Sequence, residues 1–218
     1  MNKTTSGLFI TFEGGEGAGK TTQIKLLAQY LKEIGLKVAT TREPGGEALA
    51  ERIRELLLHE SKRGDITDEG EALLFNAARA QLVKRVLRPC LEEGCIVLSD
   101  RFVDSTIAYQ GYGRGLDIHE LLSICNFATG DLVPDITFLL DVPVEIGLAR
   151  QLHLNRMEEE NGEFHKRVRS GFLKIAEKEP DRYVVLDTRL PIEDLHQKIV
   201  EDLHRRFASR LRAPCSER

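Results

Sequence analysis

An apolar segment and a glycine-rich turn follow each other in residues 8–22, which read LFITFEGGEGAGKTT. The apolar half has the character of a strand buried on both faces. The turn fits Gly-x-x-x-x-Gly-Lys-[Ser/Thr], a loop whose backbone N–H groups surround a phosphate at the start of a helix. Glycine turns also join strands to helices without a ligand, but here the strand-loop-helix context favours nucleotide binding. The residues expected to hold the ATP phosphates are Gly14, Gly15, Glu16, Gly17, Ala18, Gly19, Lys20 and Thr21.

Outward from this loop, short apolar runs alternate with segments of helical period. The runs lie at residues 8–12, 38–41, 95–99, 136–140 and 183–186, and helices are expected near 24–34, 49–57, 68–86, 118–127, 144–157, 164–179 and 193–211. Alternation of this kind predicts βαβ crossovers. We therefore expect one α/β domain over residues 1–218, a P-loop NTPase-type five-stranded parallel sheet flanked by helices, with its ligand at the carboxyl ends of the strands.

The third helix has a recognisable start. Asp68 stands where its carboxylate can cap the first turn, and Glu71, three residues on, has the position of the acid that reaches back in a capping box. Pro89 is expected to kink or end this helix.

Composition excludes several classes of protein. The 218 residues contain 31 Lys and Arg against 35 Asp and Glu, a net charge of −4, so we expect no nucleic acid polymer as partner. No apolar run approaches the ~20 residues of a membrane span, and we expect neither a membrane helix nor a signal peptide. The four cysteines lack zinc-site spacing and are expected to be buried, reduced thiols of a cytoplasmic protein.

A second part of the site is expected where the third strand ends, at Asp100 and Arg101. A carboxylate there can hold Mg²⁺ together with the hydroxyl of Thr21, and an arginine can bind a phosphate bidentately. The guanine-reading and water-positioning motifs of GTPases do not occur in the chain, and the chain is too short for a large ATPase motor. A small phosphotransferase remains.

Four ordered motifs make a more specific resemblance. They are FEGGEGAGKTT at 12–22, TREPGG at 41–46, LFNAARAQ at 74–81, and DRFVDST with YQG at 100–111. Together they resemble the bacterial thymidylate kinases, which are nucleoside monophosphate kinases. The resemblance runs from about Leu8 to Thr188 and implies transfer of the γ-phosphoryl group of ATP to dTMP, with Mg²⁺ as cofactor, in a homodimer.

The resemblance also implies roles for single residues. Phe75 would stack on thymine, and Arg79, one helical turn further on, would read the base. Thr106 and Gln110 would contact the pyrimidine edge, and Tyr109 would crowd the sugar. The further residues expected at the acceptor are Glu16 at the 3′-hydroxyl, and Arg42, Arg54, Arg101 and Ser105 around the phosphate; Arg42 and Arg54 are equally well explained as surface ion-pair partners.

Catalysis is expected to rest on positioning and charge neutralisation, because the acceptor phosphate is already an anion near neutral pH and needs no protein base. Lys20 and Arg101 are the expected catalytic cations. One branch of the family carries an arginine inside the phosphate loop, where this chain has Gly17, so the resemblance is to the branch whose catalytic arginine comes from a lid.

The charge-dense residues 155–166 have almost nothing to bury and are either a solvated helix connection or a mobile lid over about 150–168. This segment contains few arginines. Arg150 and Arg156 are the first candidates for the catalytic residue, followed by Lys166, Arg167 and Arg169.

Two other functions stay open at this point. One alternative to a dTMP kinase is a kinase for another nucleotide or nucleoside, which a screen of acceptors would reveal. The other is a nucleotide-binding regulator with weak catalysis, which the thin lid would explain.

Overall fold

The computed structural model describes residues 7–60, 64–150, 156–157 and 160–211. Its centre is a five-stranded sheet in which every neighbouring pair is parallel, in the order β2-β3-β1-β4-β5. The strands are β1 (Leu8–Glu13), β2 (Val38–Arg42), β3 (Ile96–Asp100), β4 (Ile136–Asp141) and β5 (Tyr183–Asp187). The predicted parallel α/β fold is thus confirmed, with each strand within a residue of its expected bounds.

Helices cover both faces of the sheet. They are α1 (Lys20–Glu33), α2 (Ala48–Glu55), α3 (Asp68–Leu82), α4 (Arg88–Glu92), α5 (Val103–Thr106), α6 (Ile118–Thr129), α7 (Val144–Ala149), α8 (Gly162–Lys178) and α9 (Ile192–Phe207). Three of them continue as wider π-helical turns: α2 over Leu56–Glu60, α3 over Val83–Leu87, and α5 over Ile107–Gly113.

The strands read as unbroken apolar runs because both faces of each are covered. Alternate residues of β1 point to opposite sides of the sheet. Ile10 belongs to the cluster formed with α1 and α9, whereas Phe9 packs with Leu82 and Leu87 on the opposite face. The central strand therefore has no solvated side.

The chain changes direction between β1 and β3. The connection after β1 leads towards β2 at one edge of the sheet, and the connection after β3 leads towards β4 on the other side. A crevice opens at the carboxyl ends of two neighbouring strands when their connections diverge in this way. Phe12 pairs with Asp100 in register, so the loop after β1 and the residues after β3 leave the sheet side by side.

Some local expectations were wrong. Thr67, not Asp68, caps α3 by accepting a hydrogen bond from the backbone N of Gly70. Pro89 does not end the third helix, because the chain passes through the π-helical turn and places Pro89 in the first turn of α4, where a missing N–H costs nothing.

The predicted lid lies partly outside the described residues, which omit 151–155 and 158–159. Described helix α7 ends at Ala149, and α8 begins at Gly162 with the side chain of Asn161 accepting from the backbone N of Phe164. The last residues of the predicted lid are thus helical.

The described cysteines are free thiols. Cys125 is buried as expected, whereas Cys90 and Cys95 are only half-buried, and Cys215 lies outside the described residues. No helix within the described ranges is both long enough and apolar enough to cross a membrane.

Candidate active site

A cavity of about 340 Å³ opens at the carboxyl edge of the sheet, above β1 and β3. Its walls come from the phosphate loop (residues 14–21), the end of β2, α3, the residues after β3 and the π-helical turn 107–113. All ten residues expected at the acceptor line it: Glu16, Arg42, Arg54, Phe75, Arg79, Arg101, Ser105, Thr106, Tyr109 and Gln110. Lys20, Thr21 and Asp100 line the same space.

The phosphate loop closes tightly on itself. The Lys20 ammonium group donates hydrogen bonds to the backbone oxygens of Gly14 (3.2 Å) and Gly15 (3.0 Å), across the turn. Gly14 and Gly17 have positive φ, of 140° and 65°, and a Cβ on Gly17 would lie 2.1 Å from the backbone oxygen of Gly147. A side chain at Gly17 therefore has no room unless α7 moves.

Burial lowers the pKa of Lys20, and the positive charge of Arg101 lowers it further, while Asp100 and Glu16 act in the opposite direction. A buried ammonium group crowded by another cation is poised to bind an anion, since a phosphate would relieve both effects.

At the start of α1, the Thr21 hydroxyl donates to the Asp100 carboxylate over 2.9 Å. An oxygen atom from the start of α1 and one from the end of β3 thus meet beside the phosphate loop, and oxygen is the ligand that Mg²⁺ prefers. Within the described ranges, no group of three or more His, Cys, Asp or Glu side chains is arranged to hold a metal ion. The chemistry of Thr21 and Asp100 fits an ion that takes its remaining ligands from water and phosphate.

Arg101 joins the two walls of the cavity. Its guanidinium donates to the Gly14 backbone oxygen (3.0 Å) and to Glu16 (2.8 Å) on the phosphate loop. The same group donates to the Ser105 hydroxyl (3.1 Å) and the Tyr109 hydroxyl (3.1 Å) on the other side. Burial alone would lower the pKa of Arg101, but Tyr109 and Glu16 raise it, so the cation is permanent.

The backbone of Arg101 is in the left-handed region, with φ of 73°, which costs a residue other than glycine about 1–2 kcal/mol. Glu13, at the end of β1, holds this turn in place. Its carboxylate accepts from the backbone N of Phe102 (2.7 Å) and from the Ser105 hydroxyl (2.6 Å). Burial, reinforced by the nearby charge of Asp104, raises the pKa of Glu13 to about 8. Sequence reasoning missed Glu13, whose only signal is an acid closing an otherwise apolar strand.

Glu16 is the acid of the phosphate loop itself. Burial acts to raise its pKa, but the cations Arg101 and Lys20 and the Tyr109 hydroxyl, which donates at 2.6 Å, lower that pKa to about 2. Glu16 is thus a carboxylate at every physiological pH, and it can accept a hydrogen bond from a ligand hydroxyl.

Phe75 and Arg79 lie one turn apart on α3 and both line the cavity. The Arg79 guanidinium is 2% exposed and bonds to protein groups at every nitrogen. It donates to Glu43 (2.8 Å), to Asn76 Oδ1 (3.0 Å) and to the Phe102 backbone oxygen (3.0 Å). Burial raises the pKa of Glu43, and the charge of Arg79 opposes this. The sequence led us to expect an acceptor for Arg79, and Glu43, within the TREPGG motif, is one the sequence interpretation missed.

The two arginines of uncertain role differ in exposure. Arg42 is more than half exposed and pairs with Glu51 over 3.1 Å. Arg54 donates to the Pro44 backbone oxygen over 2.8 Å. Burial and the charge of Arg42 lower the pKa of Arg54. Both side chains line the cavity, where they add positive charge.

The two candidate lid arginines lie in different places, and neither lines the cavity. Arg150 is exposed and donates to the backbone oxygen of Gly17 over 3.0 Å, on the phosphate loop. Arg156 is 5% exposed and donates to the Leu57 backbone oxygen (2.7 Å) and to Glu71 (2.6 Å). The candidates behind them bond elsewhere: Lys166 to Glu163, Arg167 to the Gly113 oxygen, and Arg169 to Asp141.

A buried ionic network that contacts the cavity lining at Gln110 was also missed. Glu71 accepts hydrogen bonds from Gln110, Arg114 and Arg156, and Arg114 reaches Glu160 as well. The available signal was the spacing of Glu71, Phe75 and Arg79, each four residues from the next, which places all three on one face of α3.

Comparisons with known proteins agree with this architecture. The family model described as thymidylate kinase matches residues 12–199. A thymidylate kinase from Chlorobium luteolum is 49% identical over 212 residues, covering 92% of this chain and 98% of the relative. One from Thermomicrobium roseum is 54% identical over 189 residues, covering 85% and 89%. The crystal structure of thymidylate kinase from Ehrlichia chaffeensis superposes with a TM-score of 0.75 at 39% identity, covering 90% of this chain and 98% of that one.

Proposed function

The chain belongs to the thymidylate kinase family and phosphorylates dTMP to dTDP with ATP as the donor, a step of dTTP biosynthesis, and from this premise we propose how its own residues carry out the reaction. ATP binds with its phosphates in the phosphate loop. The base of dTMP lies against Phe75 and Arg79 with its edge at Thr106 and Gln110, and its phosphate points towards Arg101.

One observation carries this arrangement. The Arg101 guanidinium contacts the phosphate loop through Gly14 and Glu16, and the acceptor wall through Ser105 and Tyr109. A cation held between the two walls is where a phosphoryl group passing from one to the other would accumulate negative charge. Arg42 and Arg54 bind the acceptor phosphate from the opposite side, Glu16 accepts from the 3′-hydroxyl of dTMP, and Tyr109 lies beside the sugar.

No residue is needed as a base, because the acceptor oxygen is already anionic near neutral pH. Lys20 holds the phosphates of the donor, and Arg101 aligns donor and acceptor. The work of the protein is thus to place two anions in line and to neutralise the charge that repels them.

Thr21 and Asp100 are the residues that would hold Mg²⁺. When bound, the ion supplies charge neutralisation at the donor phosphates. The bond between the Thr21 hydroxyl and the Asp100 carboxylate keeps both oxygens at the mouth of the loop.

The lid arginine stays a proposal with two candidates. Arg150 already contacts the phosphate loop at Gly17, whereas Arg156 would have to leave its buried ion pair with Glu71 to reach a phosphate. We therefore favour Arg150 at the transferred phosphoryl group, and we assign Arg156 to anchoring the residues around it.

We infer a homodimer from exposed apolar side chains on the adjoining helices α3 and α6 and the segment after them. Leu73, Leu122 and Phe127 are 54%, 41% and 91% exposed, and Val133 is 62% exposed. A second copy of the chain would remove this surface from water. We also infer a cytoplasmic location, which suits free thiols and substrates that are soluble nucleotides.

A coupled assay of ADP release with ATP, Mg²⁺ and dTMP tests the proposed function. We expect saturable turnover with dTMP and slower turnover with AMP or with thymidine. Preference for one of those acceptors would identify a different kinase. Nucleotide binding without turnover on any of them would identify a regulator.

A further inference from the structure

The Glu71 carboxylate lies beneath the base end of the cavity and is 1% exposed. Its Oε1 accepts from Gln110 Nε2 (2.8 Å) and Arg114 Nε (3.2 Å), and its Oε2 accepts from Arg114 Nη2 (3.2 Å) and Arg156 Nη2 (2.6 Å). Three side chains therefore donate to one carboxylate: Gln110 and Arg114 from the π-helical turn and its end, and Arg156 from a distant part of the chain.

Glu71 is ionised in this setting. Burial acts to raise its pKa, but the hydrogen bonds and charge of Arg114, the Gln110 amide and the charge of Arg156 together lower that pKa. An ionised carboxylate accepts hydrogen bonds and has none to donate. The Gln110 amide must therefore turn its NH₂ group towards Glu71.

This orientation decides what Gln110 presents to a ligand. Gln110 lines the cavity, and its Oε1 receives no hydrogen bond from any residue in the described ranges. Flipping the amide would put Oε1 against the Glu71 carboxylate, so that two acceptors faced each other. The NH₂ group would then no longer donate to Glu71. The carbonyl oxygen is thus the polar group that Gln110 has available for a base.

We propose that Glu71 is a positioning residue that locks the Gln110 amide so that the cavity accepts a hydrogen bond from N3–H of a pyrimidine and disfavours cytosine. The proposal rests on dTMP being the acceptor. Thymine and uracil carry a hydrogen on N3, whereas cytosine has an unprotonated N3 that needs a donor. With a cytosine nucleotide bound, the unprotonated N3 would face Gln110 Oε1, and neither atom could donate a hydrogen bond. The alternative is that the Gln110 amide flips, which breaks its contact with Glu71.

The test compares Glu71→Gln with Glu71→Asp, measuring kcat/KM for dTMP, dUMP and dCMP. A glutamine at position 71 can face Gln110 with either end of its amide, so the Gln110 amide becomes free to flip. We expect the preference for dTMP over dCMP to fall about tenfold or more, while the preference for dTMP over dUMP does not change. The aspartate variant remains acceptor-only and should keep the dCMP discrimination even if KM rises.

Asp68→Asn is the matched control, because Asp68 lies on the same helix and pairs with Arg114 at 3.4 Å. Like Glu71→Gln, this substitution replaces a carboxylate with an amide. It should leave both preferences, for dTMP over dCMP and for dTMP over dUMP, unchanged. An unaltered ratio of dTMP to dCMP in Glu71→Gln, in an enzyme that phosphorylates dTMP, would overturn the proposal. Wild-type protein inactive on dTMP would instead overturn the proposed function.

If Glu71→Gln does not fold, Gln110→Glu tests the same contact. In this variant the carboxylates of residues 71 and 110 would lie about 2.8 Å apart and repel each other, so they must share a proton. The positive charges of Arg114 and Arg156, which also contact Glu71, oppose this repulsion. Its kcat/KM for dTMP, relative to wild type, should fall as pH rises from about 6 to 8. A flat ratio across this range would contradict the proposal.

Discussion

Arg150 donates a hydrogen bond from Nη1 to the backbone oxygen of Gly17, over 3.0 Å, and so connects the residue after α7 to the middle of the phosphate loop. Its second nitrogen, Nη2, reaches the backbone oxygen of Thr188 at 3.4 Å. Carbonyl contacts on an exposed guanidinium are readily exchanged for a phosphate, which is the stronger acceptor.

Replacing Arg150 should therefore impair chemistry more than binding. Arg150→Ala is expected to lower kcat by about 10²–10³-fold with little change in KM for either substrate, since the lost charge matters most in the transition state. Arg189→Ala, which removes an exposed arginine paired with Asp187, is the control and should keep full kcat. Normal turnover in both Arg150→Ala and Arg156→Ala would show that neither is the catalytic arginine.

Phe75→Ala should raise KM for dTMP by more than tenfold, because it removes the aromatic part of the cavity lining on which we propose that the base rests. KM for ATP serves as the internal reference, since the donor phosphates bind at the opposite wall, and it should change little. Steady-state kinetics with each substrate varied in turn will show this. A KM for dTMP equal to that of the wild type would remove Phe75 from the base site.

Asp100→Asn tests the expected metal ligands. The amide keeps the size of the side chain but loses the negative charge, so the Mg²⁺ concentration needed for half-maximal rate should rise by about 10–100-fold. Titration of Mg²⁺ at saturating ATP measures this shift. A shift in kcat alone, with an unchanged Mg²⁺ requirement, would contradict the assignment.

The buried carboxyl of Glu13 should make stability depend on pH in an unusual direction. Its pKa is about 8 in the folded protein and near 4.5 without the surrounding structure, so the folded state holds more protons between these values. The contribution of Glu13 to the free energy of unfolding is complete below about pH 4.5 and falls as pH rises to about 8. Urea unfolding of wild type and Glu13→Gln should show the variant gaining relative stability with rising pH. A difference independent of pH would contradict the raised pKa.

Phe127→Glu should convert the inferred dimer into a monomer, because a charge in the middle of an apolar interface is expensive to bury. Val185→Glu is a control for the added charge, since Val185 is also about half exposed but lies on β5 at the sheet edge. Size-exclusion chromatography with light scattering distinguishes the outcomes. A wild-type monomer would overturn the dimer.

Strands and the phosphate loop were predictable because local sequence alone defines them. A strand covered on both faces is recognisable in any sequence as a short apolar run. The phosphate loop is recognisable because its backbone needs glycines at positive φ, such as Gly14 and Gly17. The role of Glu71 was not predictable in this way. Its position matches a capping acid, but partners 43 and 85 residues away, Arg114 and Arg156, occupy its carboxylate, and Thr67 caps the helix.

Arg79 gives a similar lesson about the limits of a pattern. An arginine on an apolar helical face requires an acceptor, and that much followed from the sequence. The identity of the acceptor did not, because Glu43 reaches Arg79 only after β2 has been placed beside β3. The phosphate contacts of Arg42, Arg54 and Arg150 also remain predictions, since each of these side chains bonds to protein groups in this structure.

The pairing of Phe12 with Asp100 has a consequence for how the enzyme tolerates change. The register between β1 and β3 fixes how far the phosphate loop and Asp100 lie along the strand direction relative to each other. A slip of one residue would move Asp100 by about 3.3 Å and turn its side chain to the other face of the sheet. Ile10 and Leu98 pair with each other two residues before Phe12 and Asp100. Core residues of this kind thus fix the position of the phosphate loop relative to Asp100 although they do not line the cavity. Inactivating mutations are therefore to be expected deep in the sheet as well as around the cavity.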